Sequence, residues 1–89
     1  MKMDKKFTGE IRKVKDGTLV PEDEWVCFLV KDNAFAAVLP LYLQKCVDLG
    51  ADEDQVRAVT QLMLRVTEWR EQNSSRCKVP DAAGEKLLP

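Results

Sequence analysis

The chain contains no histidine. This removes the side chain that titrates near neutral pH, and with it the ordinary general base, the imidazole-dependent serine and cysteine triads and the commonest zinc ligand. Cysteine is scarce: Cys27, Cys46 and Cys77 stand far apart, with no C-x-x-C spacing. A structural zinc site draws four ligands from close pairs, so no metal is expected. An odd, scattered set is also unlike a secreted disulfide framework, and at least one thiol must stay free or pair between chains. The four glycines include no phosphate-cradling loop, since neither Gly9 nor Gly17 stands in a G-x-G-x-x-G or a G-x-x-x-x-G-K-[ST] pattern.

Long apolar runs are missing too. The most nearly apolar stretch, Ala34 to Leu43, is about half the roughly 20 residues of a membrane span, and Pro40 interrupts it. The Met-Lys-Met-Asp-Lys-Lys start has no apolar segment behind its charges, so no secretory signal and a cytoplasmic location are expected. Fourteen basic against fifteen acidic residues leave a formal net charge of −1, which argues against duplex DNA as a partner. With neither catalytic imidazole nor a cofactor motif, the expectation is a non-enzyme without cofactors.

What is present is an ordinary globular composition, 45% hydrophobic and 33% charged over 89 residues. A chain of this size forms one small core, and its monomer is marginally stable, which favours self-association, most simply a homodimer. The expected organisation is a flexible start over residues 1–5, a single domain over 6–73, and an extended or disordered tail over 74–89.

"KFTGEIRKV", residues 6–14, alternates apolar and polar positions as a half-buried strand does. Lys15-Asp16-Gly17-Thr18 supplies a turn in which Gly17 is free to take positive φ. Pro21 lacks an amide proton, so pairing is expected to resume only after Glu22-Asp23-Glu24, in a second strand from Trp25 to Val30 covered on both faces. Asp32 or Asn33 then caps a helix over about 34–49. Its buried stripe reads Phe35, Val38, Leu39, Tyr42, Cys46 and Leu49. Pro40 is a misfit that either kinks this helix or sets its start near residue 39.

Gly50 suits a left-handed C-terminal cap, and Asp52 with Gln55 has capping-box spacing for a second helix running to about Asn73. That helix gathers Val56, Val59, Leu62, Met63, Val66 and Trp69 on one face, and places Arg57, Gln61, Arg65, Glu68 and Glu71 mostly on the other. The sum is an α+β fold in ββαα order, a β-hairpin packed against an antiparallel helix pair.

Three polar clusters merit a chemical reading. Glu22, Asp23 and Glu24 have too many carboxylates pointing apart along an extended chain to hold a hard cation, and read as a charged strand entry that keeps the apolar run soluble. Lys6, Arg12, Lys13 and Lys15, with Arg65 or Arg70 from the second helix, form a candidate site for a nucleotide-like anion. Cys77, between Arg76 and Lys78, is the thiol whose neighbours most favour the thiolate. Cys27 and Cys46 read as small core residues. Trp25, Phe28 and Trp69 read as interface anchors.

The segments "KFTGEIRKVKDGTLVPEDEWVCFLVKDN", "YLQKCVDLGAD" and "VTEWR" resemble small uncharacterised proteins of tailed bacteriophages and prophage-like mobile elements, over roughly residues 6 to 81. The V-P-E-D-E-W and W-R motifs carry no chemistry, so no site residue transfers. The resemblance implies a context in which compact accessory proteins inhibit or adapt host proteins, or sequester nucleotide signals. The leading expectation is therefore a non-enzymatic module that binds a protein partner or itself. The alternative is a homo-oligomeric binder of a nucleotide-like anion.

Overall fold

The structure is a computed structural model that describes residues 6–81. The chain is α+β in ββαα order, with a two-stranded antiparallel hairpin followed by two helices that pack on each other. Its described residues divide into two compact units, a hairpin unit up to Phe28 and a helical unit, Leu29–Pro80. The expected flexible start at 1–5 and the tail beyond residue 81 lie outside the described residues.

The hairpin pairs β1 (Ile11–Arg12) with β2 (Leu19–Val20), Ile11 opposite Val20 and Arg12 opposite Leu19. Its turn closes where the Lys13 amide donates to the Thr18 carbonyl at 2.8 Å and the Gly17 amide donates to the Lys13 carbonyl at 2.8 Å. Gly17 supplies the positive φ of 74° that this closure requires. The Asp16 carboxylate accepts from the Thr18 amide at 2.9 Å, and the bonds to Thr18 hold its pKa below the ordinary 3.8.

The second strand thus lies ahead of the acidic triplet, and the expectation that pairing resumes after it is corrected. Once the tight turn brings Thr18 back onto Lys13, the residues next in line are Leu19 and Val20. Pro21 has no amide to extend the ladder. Glu22–Glu24 form a 3-10 turn closed by the Glu24 amide on the Pro21 carbonyl at 2.9 Å. The triplet is therefore not a strand entry. The run after it is extended at Trp25 but adopts no regular strand, and Val26 and Phe28 are exposed, so both faces are not covered.

In the helical unit, α1 (Asn33–Asp48) starts where the Asp32 carboxylate accepts from the Phe35 amide at 2.9 Å. It runs continuously through Pro40. It ends in a Schellman arrangement: Gly50 takes φ 79°, its amide donates to the Val47 carbonyl at 3.1 Å, and the Ala51 amide donates to Cys46 at 2.9 Å. Then α2 (Glu53–Gln72) begins on Asp52, whose carboxylate accepts from the Gln55 amide at 2.8 Å.

The buried core is formed by Leu39 and Cys46 of α1 against Val59 and Val66 of α2. Met63, Leu62, Val56 and Trp69 flank it half-buried, which agrees with the apolar face expected for α2. The stripe expected for α1 is corrected. Leu39 and Cys46 are buried, but Val38, Tyr42 and Leu49 face out.

Residues 74–80, expected as tail, are tied to the helical unit. Ser74–Arg76 forms a 3-10 turn, the Lys78 amide donates to the Lys31 carbonyl at 2.9 Å, and the Asn33 amide donates to the Lys78 carbonyl at 2.9 Å.

Candidate docking surface

The site with the most to bind is α1 itself. A helix that serves a single neighbour carries one apolar stripe, whereas α1 is apolar around most of its circumference. Packing on α2 buries the side of Leu39 and Cys46. Of the remaining large side chains Phe35 and Leu43 are half-buried, Val38 is 54% exposed, Leu41 57%, Tyr42 51% and Leu49 85%, and Val47, on another side of the helix, is 53% exposed. At about 100° per residue, Ala34, Val38, Leu41, Tyr42, Lys45 and Leu49 fall on one continuous outer strip. By contrast α2 exposes a single large apolar residue, Leu64.

The other flank of α1 opens on a shallow groove of about 460 Å³ between the helices, lined by Ala36, Leu39 and Pro40 on one side and Met63, Val66 and Arg70 on the other. Pro40 has no amide, so the Ala36 carbonyl lacks the donor four residues on that a regular helix supplies. The Arg70 guanidinium at the groove's end is engaged: Nη1 donates to the Val30 carbonyl at 3.0 Å and Nη2 to Asn33 Oδ1 at 2.8 Å. It braces the start of α1 against the end of α2, so the helices are antiparallel.

The candidate anion residues are drawn from both units, Arg12, Lys13 and Lys15 from the hairpin unit and Arg65 from the helical unit. Arg12, on β1, donates through Nη1 to the Gly17 carbonyl at 3.1 Å and meets Glu10 at 3.6 Å, which makes it a clasp of its own hairpin. Lys13 and Lys15 are exposed at the turn of that hairpin. Arg65 belongs to the helical unit, exposed on α2.

Among the candidate interface anchors, Trp25 is half-buried and Phe28 is 59% exposed, both in the hairpin unit. Trp69 is half-buried on α2, with the Arg76 guanidinium 5.0 Å above its ring. That stacking occupies one of the cations expected to act on Cys77, whose Sγ donates instead to the Asn73 carbonyl at 3.6 Å. Cys46 is a core residue as expected, and Cys27 is half-buried outside any strand.

Leu41 was not singled out from sequence as a surface residue. The signal was available, because apolar positions on every side of a helix in a two-helix unit must leave some without a neighbour. Among the described residues no helix is long and apolar enough to cross a membrane. Compared with family models, curated proteins and solved structures, the chain matches none.

Proposed function

We propose that this chain is a small non-enzymatic interaction module that binds a protein partner through the outer strip of α1. The observation that carries the reading is the imbalance in that helix: two side chains buried against α2, and Val38, Leu41, Tyr42 and Leu49 each more than half exposed. With typical whole-residue areas, those four offer on the order of 450 Å² of mostly apolar surface, within the range of the largest and often functional patch on a monomer. Leaving this surface wet forfeits about 25 cal/mol for each Å² that a partner would cover. A helix laid against a complementary surface, read through positions three and four apart, is a recurring recognition mode that uses this pattern. The resemblance to phage accessory proteins suits a module whose task is to occupy another protein.

The test is a photoreactive benzoylphenylalanine in place of Tyr42, irradiated in cells that produce the chain. A protein-sized adduct is expected at this position and not at Arg65 on the polar face of α2. Leu41→Glu should abolish it. No adduct at position 42, or equal labelling at both, would remove the basis of the proposal.

A further inference from the structure

We infer that the partner seated on the outer strip of α1 is a second copy of the same chain, its α1 laid antiparallel to the first about a two-fold axis near Leu41 and Tyr42. The inference rests on the reading of α1 as the docking helix and adds the occupant and its direction.

Three observations support it. The first is area. The strip's four large side chains supply about half of the roughly 800 Å² per partner of a standard interface, and Ala34, Ala37 and the stem of Lys45 beside them supply more. A flat helical strip of this size matches another copy of itself, because the two-fold axis buries it twice.

The second is register. With the axis between residues 41 and 42, Leu41 meets Tyr42, Val38 meets the aliphatic part of Lys45, and Ala34 meets Leu49. The largest side chain at one end thus faces the smallest at the other, and large against small is how facing helices interdigitate. Small Ala34 also lets the chain after α1 approach where Leu49 projects.

The third is charge. The junction between the helices is acidic, with Asp48, Asp52, Glu53 and Asp54 all exposed. The Asp54 carboxylate meets Arg57 at 3.0 Å, and Lys45 lies one turn before the junction, so the end is not purely negative but keeps its sign. Parallel pairing would stack two acidic junctions on each other. Antiparallel pairing sets each junction beside the partner's α1 start, where the first amides are capped by Asp32 and bonded to Lys78 but where Lys31, Lys78 and the fixed Arg70 together outweigh the Asp32 carboxylate.

The experiment measures mass in solution on the full chain by light scattering, and then direction by disulfide trapping. The mass should climb from 10.1 kDa toward twice that value between about 1 and 100 µM. Leu41→Glu should hold it at the monomer mass while the helical circular dichroism is unchanged. In a Cys27→Ser, Cys77→Ser background, Leu41→Cys should form a covalent dimer within minutes of mild oxidation. Ala34→Cys should not, because antiparallel geometry separates the two copies of that position by about 22 Å along the axis.

Equal trapping at positions 34 and 41 would overturn the direction and with it the proposal. A chain that stays monomeric at 100 µM, yet still gives an adduct with a different protein at position 42, overturns self-pairing and leaves the interaction module standing. A monomer with no adduct overturns both.

Discussion

Arg70 and Asn33 are 37 residues apart in the chain, and the guanidinium of one donates to the side-chain oxygen of the other at 2.8 Å. The same guanidinium donates to the Val30 carbonyl at 3.0 Å, so a single planar group holds the entry to α1 against the exit of α2. Removing it leaves a half-buried carbonyl and an amide oxygen to find water. Arg70→Ala should lower unfolding free energy by about 2 kcal/mol, within the range for hydrogen bonds to a charged group. Arg70→Lys should recover little, because an ammonium cannot reproduce the planar fork. Urea denaturation measures both, and a loss below about 0.5 kcal/mol would show the fork to be replaceable by solvent.

The short connection between the helices depends on backbone geometry alone at one point. Gly50 takes φ 79°, and a Cβ placed there would meet nothing within 4 Å. Gly50→Ala should therefore cost about 1 kcal/mol, all of it from the left-handed backbone and none from a clash. Gly50→Asn should lose less than Ala. Equal loss for Ala and Asn would point to packing instead.

Pro40 sits inside α1 without breaking it. Its ring removes the donor for the Ala36 carbonyl, and a helix interior favours alanine over proline by about 3 kcal/mol. Pro40→Ala should raise stability, by about 1 to 3 kcal/mol once the fixed backbone of proline in the unfolded chain is discounted. Thermal melting of the two proteins decides it, and a lower melting temperature for the alanine variant would mean that the ring itself packs favourably in the groove.

The hairpin turn should loosen in acid. The bonds from Thr18 depress the Asp16 pKa below 3.8, so the ionised form is favoured by the folded turn. A depressed carboxylate contributes above its unfolded value and loses the contribution as pH falls through the folded one. Amide exchange at Thr18 should therefore be slowest above about pH 4.5 relative to its intrinsic rate, and protection should fall below 3.8. Asp16→Asn should remove the pH dependence. An unchanged profile in that variant would assign the transition to another group.

The helices were legible in the chain because their signals are local. Asp32, Gly50 and Asp52 each act on groups within four or five residues, and the expected ends of α1 and α2 fall within a residue or two of those observed. The second strand was misread for the opposite reason. "WVCFLV" has the composition of a strand, but composition does not supply a neighbour, and the tight closure of Lys13 on Thr18 had already paired the chain at Leu19 and Val20. Of the residues expected to hold an anion, Arg12 and Arg70 have carbonyl partners within the chain, pairings that residue type alone does not announce.

Sequence alone determined where the helices begin and end, the turn glycines and the residue types from which a core is drawn, since each depends on contacts a few residues apart. Tertiary structure decided which side of α1 is covered, that Arg70 closes the helical pair, and that Lys78 returns to Lys31 and Asn33. Those are pairings between distant segments, and a helix apolar around most of its circumference has no feature of its own that says which apolar side its neighbour will take.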